Sequence, residues 1–176
     1  MGEGAILIAF VVVQRFAELA LAQANVRRLL AHGGVEFGGG QYPWIVALHA
    51  GWLACLIMFG ADRPVDRWWV AAFIALQAGR VWTIASLGRR WTTRIVVVPG
   101  EVRVVRGPYR LLRHPNYCIV AAEIAVVPLA LGLPTLAIIF FVLNAVLLAV
   151  RIKAEEAALT WAESQTHTLA NGRSSL

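Results

Sequence analysis

Charge is what this chain has least of. Of its 176 residues 15% are Asp, Glu, Lys or Arg and 59% are hydrophobic, whereas a soluble domain carries about 25% and 45–50%. That shortage argues against an ordinary water-facing surface, as does a mean hydropathy of +0.67. Cysteine is scarce too: Cys55 and Cys118 sit among apolar neighbours, where thiols are usually inert. No cysteine spacing suggests zinc, and His32, His49, His114 and His167 form no ligand motif, so no metal is expected. No Gly-x-Gly-x-x-Gly follows a strand and no phosphate-binding loop occurs, which removes a Rossmann-type cofactor domain. The first residues lack a basic leader, so the first apolar block reads as a retained span. There is no internal repeat and no low-complexity tract.

What is present is long apolar blocks. A span needs about 20 mostly apolar residues. Residues 4–24, 42–61 and 68–87 qualify, while 116–150 is too long for one crossing and is interrupted by Gly132 and Pro134. Splitting it into a hairpin gives about five spans. Arg89, Arg90, Arg94, Arg103, Arg106, Arg110 and Arg113 fill the connector after the third span; Arg27 and Arg28 follow the first, Arg151 and Lys153 the last. The positive-inside rule puts them all in the cytosol, with the N-terminus outside, and so explains the net charge of +6 without nucleic acid. No basic stripe is interleaved with stacking aromatics, so no nucleic-acid partner is expected. Trp44, Trp52, Trp68 and Trp69 fit interfacial belts.

The expected architecture is an all-α integral membrane protein of about five transmembrane helices, with a C-terminal helical hairpin and a short cytosolic β-like connector. Residues 1–87 form a three-span region, 88–163 a core, and 164–176 a polar tail that is expected to fray. Pro99-Gly100 suits a type II turn between the β-branched stretches 93–98 and 101–105, which predicts a short hairpin or extended pair at the membrane surface. The glycine-rich stretch 33–40 reads as a flexible connector, or else as a lid.

The most informative stretch is Gly107-Pro108-Tyr109-Arg110-Leu111-Leu112-Arg113-His114-Pro115-Asn116-Tyr117. Pro115 biases His114 away from helix and suits a helix's first turn. The segment therefore presents an arginine, an imidazole, an amide and a phenol at a helix N-terminus, at headgroup depth. A second element, Arg151-Ile152-Lys153-Ala154-Glu155-Glu156-Ala157-Ala158-Leu159, ends the fifth span. Arg151 and Glu155 are four apart and share a helix face. The hairpin returns this end beside His114, so two distant polar groups converge where a soluble molecule can meet a lipid.

These two elements, in this order, resemble the C-terminal half of the isoprenylcysteine carboxyl methyltransferase family: Gly-x-Tyr, then Arg-His-Pro-x-Tyr, then a helical hairpin, then Arg followed by paired acids and Leu. The resemblance covers about 101–159. It implies a membrane methyltransferase of the family's bacterial branch, using S-adenosylmethionine and releasing S-adenosylhomocysteine. It implies that Glu101, Val102, Arg103 and Val104 wrap the cofactor, that Tyr109, His114, Pro115, Asn116 and Tyr117 line it, that Glu155 holds it, and that Arg151 faces the acceptor. Glu101 stands where the family usually has a histidine, and Arg94 near a usual glutamine.

The chemistry suits the residues. A carboxylate such as Glu155 can accept from the cofactor's ammonium or ribose hydroxyls, and Arg151 can orient an oxyanion bidentately. A phenol or enol acceptor needs its proton removed, and His114 is the candidate base. Ionisable groups inside spans default to functional. Gln77, Arg80, Glu123 and Asn144 would build an interior polar network; Glu123, about two turns beyond Asn116, is also expected to shape an acceptor tunnel and, with Asn144, to meet the acceptor; Arg15 and Glu18 would pair. His49 reads as a packing histidine, Arg110 as an anchor and Glu156 as a solvated helix face. The expected activity is O-methylation of a lipophilic acceptor: a lipid-tailed phenol or pyrone such as an alkylpyrone or alkylresorcinol, or an isoprenylcysteine carboxylate. The expected location is a bacterial inner membrane. Membrane sterol reductases that use NADPH share Arg-His-Pro-Asn-Tyr, but Arg151…Glu155-Glu156 argues against one. A scaffold or transporter subunit is the non-catalytic reading.

Overall fold

A computed structural model describes residues 2–173, and side chains as far as 165. Five helices dominate: α1 (Glu3–Ala31), α2 (Tyr42–Gly60), α3 (Arg67–Leu87), α4 (Pro115–Ala130) and α5 (Pro134–Arg173). Four are long and apolar enough to cross a membrane; α4 is apolar but shorter. Its 16 residues rise about 24 Å, just under a bilayer's hydrocarbon thickness of about 30 Å. Large apolar side chains face outward along every long helix, among them Ile6, Phe10, Met58, Trp68, Ile74 and Val142. A soluble monomer does not carry so continuous an apolar exterior.

The main apolar core lies toward the end away from the arginine-rich connector. Ile8 and Val11 of α1, Trp52 and Leu56 of α2, Phe73 of α3, and Ile124, Val127 and Leu131 form one buried cluster. Trp52 Nε1 donates to the Ile124 carbonyl (3.2 Å), satisfying a polar atom where no water reaches. Gly4 matters here because a Cβ on it would stand 2.2 Å from the Gly60 carbonyl oxygen. The turn after α4 places Gly132 at φ 65° and reverses the chain into α5, the expected hairpin.

The other end departs from two expectations. The expected turn forms at Pro99-Gly100, where the Glu101 N–H donates to the Val98 carbonyl (3.1 Å) and Gly100 has φ 82°, but its two flanks do not pair as strands. Instead β2 (Ile95–Val97) pairs antiparallel with β1 (Val35–Phe37), Val35 facing Val97 and Phe37 facing Ile95, while 101–105 runs without regular structure. The glycine-rich stretch is thus part of a sheet, because it supplies the partner edge nearest to β2. The turn itself is tied to α5, the Gly100 N–H donating to the Ala162 carbonyl (3.0 Å). The second departure is the tail. Rather than fraying after 163, α5 continues to Arg173; residues 174–176 lie outside the described residues. At 1.5 Å per residue this 40-residue helix is about 60 Å long, about twice a bilayer's hydrocarbon thickness, and its stretch from Arg151 to Glu163 lines a cavity.

Candidate functional site

Three segments build the site. The first leaves α3 through Gly88 and is pinned to α1, where Asn25 Nδ2 donates to the Trp91 carbonyl (2.8 Å). This fixes buried Trp91 and sets Thr93 between α2 and α5, its Oγ1 3.3 Å from Tyr42 Oη. The second is the Gly-Pro-Tyr turn. Gly107 has φ 57°, and a Cβ there would lie 2.0 Å from Ser86 Oγ; only glycine lets the turn close against the end of α3. Arg106 Nε donates to the Ser86 carbonyl (2.7 Å) and holds it there. His114 then precedes Pro115, the first residue of α4. The third is the α5 face carrying Arg151, Glu155, Glu156 and Glu163.

Their side chains meet. Arg151 is 7% exposed. It donates from Nε to Tyr117 Oη (2.8 Å) and from Nη2 to the Thr93 carbonyl (2.7 Å), and its guanidinium lies over the Tyr117 ring. Tyr117 Oη in turn donates to Glu155 Oε2 in a short contact. The His114 ring stacks on Tyr117, and its Nε2–H donates to Glu156 Oε1 (2.9 Å). Glu156 also accepts from Arg103 (2.9 Å), which reaches Glu163 as well. Burial, then the negative field of Glu155, push the Tyr109 phenol far above its ordinary range, so it stays a neutral O–H.

Two cavities flank this cluster. One, of about 490 Å³, lies on the arginine-rich side and is lined by Glu101 to Val105, Tyr109, His114, Asn116, Tyr117, Glu155, Glu156 and the β2 edge. The other, of about 270 Å³, runs between the helices and is lined by Phe16, Leu19, Ile45, Val46, Leu53, Val120, Leu147 and Leu148, with Arg15, Glu18, His49, Arg80 and Asn144. Phe16 and Val46 are exposed on the apolar exterior, which puts the mouth of this second chamber on the lipid side. Trp91, Thr92, Asn116, Tyr117 and Arg151 line both. Two polar atoms of this common wall, Trp91 Nε1 and Asn116 Oδ1, are buried without a hydrogen-bond partner among the described residues. Such atoms call for a ligand or water.

Of the residues singled out from sequence, Glu101, Val102, Arg103, Val104, Tyr109, His114, Asn116, Tyr117, Arg151 and Glu155 all line the larger cavity. Pro115 does not line it; it starts α4. Glu101 sits at the rim, paired with Arg90 (2.9 Å). Asn144 lines the lipid-side chamber with its Nδ2 unpartnered. Glu123 lines neither cavity. It is fully buried and held by Arg80 (Nε to Oε1 2.9 Å), Gln77 (2.8 Å) and, in a short contact, Arg15. Arg15 also pairs with Glu18 (2.8 Å). This interior network ties α1, α3 and α4 together; Asn144 does not join it. Sequence reasoning missed Trp91, Thr93 and Tyr42, whose backbone or ring sets the common wall. The available signal was an aromatic and two hydroxyl residues directly after Arg89-Arg90.

Fold and cavities together define an integral membrane protein with one cavity beside its basic loop and another between its helices, joined at a single polar wall. The chain belongs to the isoprenylcysteine carboxyl methyltransferase (ICMT) family, which it matches over residues 69–161, and is a membrane methyltransferase. It is 40% identical over 159 residues to the uncharacterized protein YpbQ of Bacillus subtilis (strain 168), covering 88% of this chain and 95% of that one. An uncharacterized protein of Haemophilus influenzae is 24% identical over 165 residues, covering 88% and 94%. No solved structure matches the chain.

Proposed function

We propose that this methyltransferase uses S-adenosylmethionine in the larger cavity to O-methylate a lipid-tailed acceptor in the smaller one. The observation that carries this reading is the common wall: Arg151 and Tyr117 touch both chambers at once. The larger cavity's 490 Å³ falls in the usual range for small-molecule sites, about 300–1,000 Å³. Its donor set fits the group as well. Glu155 and Glu156 offer carboxylates to an ammonium and to ribose hydroxyls, Tyr109 offers a neutral phenol, and Asn116, whose Oδ1 is unpartnered, also lines the space. When bound, S-adenosylmethionine supplies a methyl group made electrophilic by a sulfonium.

The chain's own work is placement. In-line transfer between two held reactants gains chiefly from proximity and alignment. Arg151 has no carboxylate within salt-bridge distance among the described residues, its contacts being neutral oxygens. A buried, uncompensated guanidinium is costly and so favours an anionic oxygen beside it. That oxygen is the acceptor's, and the tail leaves between Phe16 and Val46 into the bilayer. Lipid-tailed phenols and pyrones fit this chamber, as does a prenylated carboxylate. In this reading the basic side faces the cytosol, the N-terminus lies outside, and the membrane is a bacterial inner membrane.

The test is calorimetry with S-adenosylmethionine on detergent-purified protein. Glu155→Ala is expected to abolish measurable binding, whereas Arg151→Ala keeps binding and loses methyl transfer to a panel of lipid-tailed phenols, pyrones and prenylcysteines. Wild-type affinity in Glu155→Ala removes that residue from the donor site, and retained transfer in Arg151→Ala removes Arg151 from the mechanism.

A further inference from the structure

His49 lies outside the donor site, and nothing so far uses it. Its Nδ1 is 2.9 Å from the Ile45 carbonyl oxygen, one turn back on the same helix. A carbonyl only accepts, so Nδ1 carries the hydrogen. In the neutral imidazole the distal Nε2 is then a bare lone pair. No described residue hydrogen-bonds to it, and the ring lines the lipid-side chamber.

Its depth can be read from the helix. Tyr42, Thr93 and Arg151 share one level through their contacts. The carbonyl that holds the ring belongs to Ile45, three residues along α2, a rise of about 4.5 Å. The imidazole and Arg151 line the same chamber. His114, by contrast, lines the donor cavity alone and is committed to Glu156, away from where an acceptor's proton would be. The charged side chains around the same chamber are Arg15 and Glu18 from α1, Arg80 from α3 and Arg151 from α5, with Glu123 from α4 behind Arg15 and Arg80. Three guanidiniums against two carboxylates leave the chamber net positive, a setting that stabilises an oxyanion once formed.

We propose that His49 is the general base of the reaction and that the acceptor arrives as a neutral hydroxyl compound, a lipid-tailed phenol or enol rather than a preformed carboxylate. This rests on the methyltransferase reading above. The acceptor O–H donates to Nε2 and its proton passes there. The oxygen's electron pair forms the new O–CH3 bond at Arg151 while the S–CH3 bond breaks and its pair stays on sulfur. The proton leaves later from the imidazolium. An acceptor crossing from hydrocarbon enters most readily uncharged, and Asn144 Nδ2, also unpartnered at 2% exposure, would serve a second oxygen on the same ring.

The experiment compares wild type with His49→Phe on a graded series of alkylphenols, from ordinary acidity to nitro-substituted phenols already ionised at neutral pH. A positioned base contributes about 10²–10⁴-fold. His49→Phe is therefore expected to lose about that factor in kcat on the weakly acidic phenols, to recover most of the rate on the ionised ones, and to bind S-adenosylmethionine as wild type does. In His49→Ala, added imidazole is expected to restore transfer. An equal loss across the whole series, or no loss, overturns the base assignment. Wild-type transfer to prenylcysteine carboxylates but to no hydroxyl acceptor overturns the acceptor class and leaves the methyltransferase reading standing. No binding of S-adenosylmethionine by wild type overturns that reading itself.

Discussion

Removing one oxygen from the middle of the site tests whether the two chambers are coupled through it. Tyr117→Phe keeps the ring, hence the stack on His114 and the contact under Arg151, and deletes two hydrogen bonds, one given to Glu155 and one taken from Arg151. Hydrogen bonds to charged groups contribute about 1.5–3 kcal/mol each. The two losses fall unequally. Glu155 is about 29% exposed and can recover a partner from solvent. Arg151 is 7% exposed and is left with the Thr93 carbonyl alone. Allowing for that recovery, we expect about 2–4 kcal/mol off transition-state stabilisation, a fall of about 30- to 900-fold in kcat/KM. Because the damage lies on the acceptor side, the affinity for S-adenosylmethionine should change less than about tenfold. The assay is transfer of labelled methyl with calorimetric binding measured beside it. A kcat/KM within threefold of wild type, or a loss confined to cofactor affinity, refutes the claim that Tyr117 positions Arg151.

Two further outcomes follow from the packing. Glu123→Ala leaves Arg15 and Arg80 in the span interior with Glu18 alone between them, two guanidiniums on one carboxylate, and breaking a buried ion network costs about 3–5 kcal/mol; thermal unfolding in detergent should show a large drop in Tm, smaller for Glu123→Gln, and an unchanged Tm would mean that apolar packing and Glu18 suffice to hold α1, α3 and α4. Gly107→Ala must adopt φ 57° and displace Ser86, a strain of order 1–3 kcal/mol that also shifts Tyr109; it should lower Tm and weaken S-adenosylmethionine binding, with Ser86→Gly relieving the steric part only, and wild-type values for both would show that the turn has room.

Much of the site was legible because its parts are local. Arg151 and Glu155 share a face by helical spacing alone, and Pro115 after His114 marks a helix start whatever surrounds it. The hairpin at Gly132 and Pro134 then brings them together, which is a topological step the apolar blocks already require. What was not legible depends on which edge reaches which. Pro99-Gly100 is a sound turn, yet Ile95–Val97 takes its partner from Val35–Phe37, a pairing across about 60 positions that no local pattern announces. The length of α5 was hidden by the polar character of 164–176: composition there says solvent, and a helix standing in solvent is polar too. Glu123 was recognised as an unusual buried acid. Its partner Arg15 lies 108 positions earlier, and no spacing rule links them.

The arrangement of charge explains why these two chambers belong in one small bundle. Arg15 and Arg80 are matched inside the spans by Glu18 and Glu123, and Arg103 is matched outside by Glu156 and Glu163. Arg151 stands between these two groups with neutral oxygens for company. A guanidinium held this way would be a liability in a protein whose only task was to stay folded, since a carboxylate one helical turn away, Glu155, was available to pair with it. Tyr117 intervenes instead, taking Glu155 for its own hydroxyl and presenting an oxygen to Arg151. The carboxylate is thereby kept for the water side and the cation for the lipid side. Separation of the two charges, rather than their pairing, is what a site must do if a cationic donor and an oxyanion formed on the acceptor are to meet across it without either being held by the wrong partner.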